Sequence, residues 1–239
     1  RALINAKFLE DRMIQDDSSI LRNYMNDHAS INGFLDDYAF SIWAFINLYQ
    51  ATFDEDWLHL ANRLSEYVLA HFSDDLSGTF FYTSDEDRRL ITRSRELSDN
   101  VIPSSNSQMA KNLFFLGTFL EKRNYLVRAS QLLMAVKEKM LRHPSFHGNW
   151  GMMMLYLSEA PVEVVIMGND SIAMRAEFDR HYLPQVMFAG GEQEGSLGLM
   201  QQRLVKGQTT IYVCRGKTCK LPVTSVRAAL KQLEGWTGA

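Results

Sequence analysis

Tyr38–Phe72, YAFSIWAFINLYQATFDEDWLHLANRLSEYVLAHF, falls in register on Asn106–Met140, NSQMAKNLFFLGTFLEKRNYLVRASQLLMAVKEKM. Leu48 lands on Leu116, Trp57 on Tyr125, Leu58 on Leu126, Ala61 on Ala129, Leu64 on Leu132 and Val68 on Val136. The first segment of each unit, Tyr38–Tyr49 and Met109–Leu120, is apolar nearly all round, so both of its faces should be covered. The second is one-sided: Leu58, Ala61, Leu64 and Val68 make a helical stripe with a polar back. An inner helix buried on two sides, followed by an amphipathic outer helix, is the unit of an α/α toroid. Repeats of this kind bury their faces only against neighbours.

The same pattern extends both ways. Leu3, Ala6 and Leu9 match Leu58, Ala61 and Leu64, so the opening segment reads as an outer helix without its inner partner. Trp150–Ser158, WGMMMLYLS, reads as a third inner helix. About half a toroid is expected, entered mid-hairpin, with an exposed inner face open to self-association or to a partner that covers it. The connection Ser73–Asn106 is far longer than the usual ~2–8 residues between helices. Within it, Gly78–Ser84 and Arg89–Ser94 read as short strands around Asp85-Glu86-Asp87. After Pro161 the pattern changes. Val162–Met167, Gln185–Ala189 and Thr209–Val213 read as strands, Ser171–His181 and Val226–Leu233 as helices, and Gly190–Gln208 as a loose segment. The expected division is therefore 1–160, helical hairpins, and 161–239, a small α/β unit.

Composition narrows the function classes. Of 239 residues, 46% are apolar and 22% charged, with a net charge of −3 and scattered Lys and Arg. That pattern argues against a nucleic-acid or anionic-membrane partner. No apolar run reaches the length of a membrane span, and the charged, amphipathic opening residues do not match a secretory leader. Two cysteines in a chain this long do not make a disulfide scaffold, so a reducing, cytoplasmic setting is expected. The chain begins at Arg1 and is expected to be a piece of a longer protein.

The repeat places Asp37 opposite Ser105, so GFLDDYAF (Gly33–Phe40) and IPSSNS (Ile102–Ser107) lie at the same end of neighbouring inner helices. That gathers Asp36, Asp37, Tyr38, Arg93, Arg95, Glu96, Asp99, Ser104, Asn106 and Ser107 around one mouth. Helix N-termini carry free N–H groups and partial positive charge. The carboxylates and hydroxyls there are thus caps, ligand contacts, or both. As chemistry, Asp36, Asp37, Glu96 and Asp99 are candidate acid/base groups for a glycosidic bond, with Tyr38, Arg93, Arg95, Ser104, Asn106 and Ser107 as contacts. Adjacent Asp36 and Asp37 point ~100° apart on a helix, so one is expected to cap and the other to face a ligand. Of the histidines, His28 reads as part of a polar turn, and only His147 is placed to reach the mouth, as a solvated loop residue. CRGKTC, Cys214–Cys219, lacks the spacing of a redox motif or a zinc site. Two structural thiols are expected, with a disulfide across a turn at Arg215-Gly216-Lys217 left open. VIMGND lacks the glycines of a dinucleotide fingerprint. No metal or cofactor is expected.

GFLDDYAFSIW, GTFFYT, RSRELSDNVIPSSNS, PVEVVIMG and YVCRGKTCKLPVT, in this order, resemble the C-terminal half of the thioredoxin-domain-containing family related to spermatogenesis-associated protein 20. Asp99-Asn100-Val101 stands where that family usually has Asp-Gly-Ala, and Gly78-Thr79-Phe80 where it often has Gly-Gly-Phe/Tyr. The resemblance implies a mainly α chain. It would be part of an (α/α)6, six-hairpin glycosidase-like toroid similar to N-acylglucosamine 2-epimerases, followed by the α/β unit. It also implies a thioredoxin-like domain and first hairpins outside this chain. Three functions follow as expectations: a ligand-binding or vestigial carbohydrate-type site, a sugar epimerase or glycosidase-like enzyme, and a scaffold for the thioredoxin-like domain. The first is preferred because no complete acid/base set is visible.

Overall fold

The computed structural model describes residues 1–87, 91–216 and 218–237. The chain is mainly α: part of an α/α toroid, followed by a small α/β unit. It divides into two compact units, Arg1–Ile46 with Trp57–Leu155, and Asn47–Asp56 with Tyr156–Ala239.

The first unit opens with α1 (Ala2–Phe8), which runs into a π-turn at Leu9–Met13. Of its expected stripe Ala6 is buried, whereas Leu3 is 46% exposed. Next comes an unforeseen hairpin, β1 (Leu21–Met25) and β2 (His28–Asn32), with Met25 opposite His28. Asn26 and Asp27 both take positive φ, the conformation that a two-residue type I′ turn requires. His28 is therefore a strand residue, not part of the turn.

Two helical hairpins carry the repeat: α2 (Leu35–Thr52) with α3 (Glu55–His71), and α4 (Ser105–Phe119) with α5 (Arg123–Arg142). The equivalence reaches the backbone. Phe53 and Glu121, which fall on each other in the repeat, both turn their hairpins with positive φ, 57° and 53°. Phe45 stacks on Trp57 and Tyr38 on Tyr67, joining α2 to α3. At Gly117 an added Cβ would meet Leu126 at 2.9 Å, which marks the close crossing of α4 and α5. Asn112 Nδ2 donates to Ala39 O at 2.7 Å, tying inner helix α4 to inner helix α2. Tyr125 OH and Lys122 Nζ both reach Asn62 Oδ1, tying outer helix α5 to outer helix α3. Every residue of α4 is buried except Lys111 and Thr118.

Between the hairpins, among the described residues, only Ser73–Asp74 (β3) and Thr79–Phe80 (β4) pair as strands. The expected strand Arg89–Ser94 does not form over Ile91–Ser94, and Arg89 and Leu90 lie outside the described residues. Among its described residues, Ser94 makes a ladder-like bond, accepting the Tyr82 N–H at 2.8 Å. A third inner helix, α6, spans Gly148–Ser158.

In the second unit β5 (Val162–Met167), α7 (Ser171–Phe178) and β6 (Val186–Gly191) form a parallel βαβ crossover. Antiparallel β7 (Thr210–Arg215) and β8 (Thr218–Cys219) complete the sheet order β6-β5-β7-β8, and α8 (Val226–Thr237) closes the unit. Val164, Ile166, Phe178, Phe188, Ile211, Val213, Ala229 and Leu233 form its core, with Phe53 from the α2–α3 turn. Gln50 also belongs here: its Oε1 accepts the Phe188 N–H at 3.1 Å, and its carbonyl accepts Arg175 Nε at 2.7 Å.

Candidate functional site

The N-termini of the inner helices are occupied by carboxylates, each for a local reason. Asp37 sits in the first turn of α2, and its Oδ2 accepts the Phe34 N–H at 2.8 Å. This is the reach-back half of a capping box. Arg22 Nε lies 3.6 Å from the same oxygen. Burial pushes the Asp37 carboxyl above its ordinary range, the Phe34 N–H opposes this, and neighbouring Asp36 adds to the rise. Asp36 points elsewhere: its Oδ2 accepts the Tyr82 hydroxyl at 3.0 Å. Burial and then the fields of Asp36 and Glu96 push that phenol up to about 12.

At α4 the set is denser. Ser104 Oγ accepts the Ser107 N–H. Glu96 Oε2 accepts the Ser105 N–H at 2.8 Å. Asp99 Oδ1 accepts the Ser104 N–H at 2.8 Å and the Ser107 hydroxyl at 2.7 Å. Its Oδ2 accepts the Asn149 N–H at 2.8 Å, at the start of α6. One buried carboxylate therefore caps two inner helices. Asn106 is fully buried and clamps Phe80 from both sides, accepting its N–H at 2.8 Å and donating to its carbonyl at 3.0 Å, with a further bond to Glu96 O.

Other residues expected at the mouth face inward or away from these caps. Tyr38 is 2% exposed, and its hydroxyl accepts the Ile20 N–H at 2.9 Å. Arg93 donates to His71 O and Thr83 O and covers the Phe81 ring. Arg95 pairs with buried Asp74 and covers the same ring. His147 is not solvated: it is 3% exposed, Nδ1 meets His143 O at 2.8 Å, and Nε2 has no partner among the described residues.

The partly open face of α2 runs Asp36, Phe40, Trp43, the i, i+4, i+7 row of one helical side. Across from it, Lys111 Nζ lies 4.0 Å above the Trp43 ring, and Phe115 meets that ring edge-on at 5.0 Å. Burial holds the Lys111 ammonium below the usual lysine range, and no charged neighbour among the described residues offsets that burial. Trp43, Lys111, Tyr82 and Arg22 were not expected from the sequence. The periodicity from Asp36 through Trp43 was the available signal for one of them.

The α/β unit has two further features. A cavity of about 270 Å³ opens at the carboxyl ends of β5 and β6, lined by Gly168, Asn169, Asp170, Glu192, Lys206 and Thr209, where open α/β sheets characteristically bind ligands. Cys214 and Cys219 are joined as a disulfide, so the expectation of two separate thiols does not hold. Lys217, between them in sequence, lies outside the described residues. Among the described residues no cluster of His, Cys, Asp and Glu is disposed to hold a metal ion, and no helix is long and apolar enough to cross a membrane.

Paired inner and outer helices, with a polar connection laid across the inner N-termini, define the class: a partial α/α toroid. No family model matches the chain. Among curated proteins it is similar to spermatogenesis-associated protein 20 of Mus musculus, 27% identical over 94% of this chain and 31% of that protein. The Homo sapiens protein of the same name is 29% identical over 80% of this chain and 26% of that protein. An uncharacterized protein of Caenorhabditis elegans is 23% identical over 82% and 28%. The chain thus spans less than a third of the length of the curated relatives it matches. Among solved structures, unsaturated glucuronyl hydrolase of Bacillus sp. GL1 covers 58% of this chain and 38% of its own, at 17% identity and a TM-score of 0.44.

Proposed function

We propose that the hairpin unit binds a carbohydrate-type ligand without cleaving it, on the face formed by Asp36, Phe40 and Trp43 of α2 and Lys111 of α4. The observation that carries this reading is Lys111: an ammonium without an ion-pair partner among the described residues, on a helix buried but for it and Thr118, and against a partly exposed tryptophan. An aromatic face with a few convergent polar groups suits a sugar ring, and the ammonium favours one bearing a carboxylate. Hydrolysis needs two carboxyl groups free to act as acid and as base or nucleophile. Asp37, Glu96 and Asp99 already accept N–H groups at helix N-termini. Protonating them would break the caps.

The test is calorimetric and thermal titration with glucuronate and glucose, with product analysis on an aryl glucuronide. A ligand at 100 times its Kd stabilises the folded state by about 2.7 kcal/mol. Glucuronate should raise the melting temperature, Trp43→Ala should abolish the shift, and Lys111→Met should reduce it to the level of glucose. No shift with either sugar, or turnover of the glucuronide, overturns the reading.

A second reading, an interaction module for the remainder of a longer protein or for another copy of itself, is favoured by Met152, Met154 and Leu155 of α6, all exposed. The composition supports a cytoplasmic setting for either, in which a disulfide would be exchangeable rather than a permanent staple.

A further inference from the structure

We infer that Cys214–Cys219 is a thiol–disulfide exchange site, with Cys219 as the sulfur attacked and Arg203 as the group that holds the charge released on Cys214. Its reaction partner is a dithiol.

The sequence dictates the pairing. Cys-Arg-Gly-Lys-Thr-Cys puts Gly216, at φ 56°, in a tight turn, and Cys214 faces Cys219 directly across β7 and β8. The next pair inward is hydrogen-bonded, Lys220 N–H to Val213 O at 3.0 Å. The cysteines thus occupy the intervening non-hydrogen-bonded pair, where cross-strand side chains lie closest. Such a bond closes a loop of only a few residues, so it removes less freedom from the unfolded chain than a longer cross-link would.

The two sulfurs have unequal access. Cys214 is fully buried, whereas Cys219 is exposed at the sheet edge. An incoming thiolate therefore meets Cys219 first. Arg203 spans both: Nη1 lies 3.3 Å from Cys214 Sγ and Nη2 3.4 Å from Cys219 Sγ. The guanidinium is held in place. The Arg203 N–H donates to Glu194 Oε1 at 2.8 Å, its carbonyl accepts the Tyr212 hydroxyl at 2.9 Å, and the guanidinium lies 5.2 Å from the Tyr212 ring centroid. A neutral disulfide is a weak acceptor and gains little from a cation. A thiolate gains much, because an adjacent arginine stabilises the charged sulfur. Two charged groups face Cys214, Arg203 and, opposite it in register on β5, Glu163, whose field also reaches Arg203; the guanidinium is the one within hydrogen-bond reach of both sulfurs, so the fork is complementary to the state reached when the bond opens.

The reaction balances. The thiolate of the dithiol attacks Cys219 Sγ, a bond forms between them, and the Cys214–Cys219 bond breaks. Its electron pair leaves with Cys214 as a thiolate facing Arg203. The second thiol of the reductant gives its proton to solvent and attacks its own partner sulfur in the mixed disulfide. Cys219 is released and takes up a proton. The dithiol ends as a disulfide, and two electrons have passed to the two cysteines.

The experiment uses the full chain reduced with dithiothreitol, following thiolate absorbance in the ultraviolet against pH. This readout does not require access to Cys214. The wild-type midpoint should lie below the ordinary thiol value of about 8.5. In Arg203→Met it should rise, and reduction by dithiothreitol at neutral pH should slow by about threefold to tenfold. Arg203→Lys should recover part of both changes. In Cys214→Ser, oxidised glutathione should add to Cys219, read by mass. A wild-type midpoint at or above the ordinary value overturns the inference, and decides the matter even if Arg203→Met fails to fold. An Arg203→Met protein that melts lower but keeps the wild-type midpoint and rate also overturns it, because Arg203 then only packs.

Discussion

Replacing Asp99 with alanine should destabilise the hairpin unit by about 3 kcal/mol, because one side chain ends two helices. Three donors converge on it: the Ser104 N–H, the Ser107 hydroxyl and the Asn149 N–H. The Ser107 hydroxyl keeps the Ser104 carbonyl as an acceptor, so it is not orphaned. The two backbone N–H groups are. A buried donor left unpaired costs about 1–3 kcal/mol, taken as about 2 kcal/mol for buried Ser104 and about 1 kcal/mol for half-buried Asn149, which water can reach. Asp99→Asn retains an acceptor for Ser104 but turns an NH2 toward the Asn149 N–H, and should cost about 1–2 kcal/mol. Urea unfolding followed by helical circular dichroism reads both. With slopes of about 1–3 kcal/mol per M, alanine should lower the midpoint by about 1–3 M with the slope unchanged, and asparagine by less. An alanine variant within about 0.5 kcal/mol of wild type, the range of ordinary surface substitutions, would refute the shared-cap reasoning and return Asp99 to the pool of free acid/base groups.

Two further outcomes are expected. Lys111 carries a folded pKa depressed by burial, so between that value and the unfolded value near ~10.4 the unfolded chain binds more protons and stability rises with pH. Lys111→Met should therefore melt higher than wild type at neutral pH, and the difference should shrink as pH climbs toward 10 to 11 (about the unfolded value). A constant difference across that range would contradict it. Asn106→Ala should free the Phe80 segment from α4, speeding amide exchange at Phe80 and costing about 2–4 kcal/mol. Exchange at wild-type rates would mean that the clamp is redundant.

The hairpins were legible because a toroid repeats itself. Leu48 on Leu116 and Trp57 on Tyr125 are echoes of packing, and the repeat even marks Phe53 and Glu121 as the hairpin-turning residues. The β1–β2 hairpin was missed although Asn26-Asp27 is a turn pair, since its strands mix apolar and polar residues with little alternation and bury none of them. The mouth was legible as a place but not as a set of roles. Residue types nominate Asp36, Asp37, Glu96 and Asp99 equally. What separates them is the partner of each oxygen, such as Tyr82 for Asp36, 46 residues away. Lys111 was invisible for the same reason: a lysine in an apolar helix signals nothing until the facing helix supplies a tryptophan. Arg203, within a segment read only as loose, gave no sign of facing two sulfurs.

The α/β unit includes a turn made long before the rest of it. Gln50 waits for Phe188, 138 residues on, and Glu55 waits for Ser196, 141 residues on. At ~5–20 residues per second of synthesis, that delay is roughly 7–28 s on the ribosome. The α2–α3 turn is thus made before the sheet whose core Phe53 joins. Nascent chains of this protein therefore carry an early apolar handle, and any factor that shields hydrophobic turns during translation has that interval in which to act.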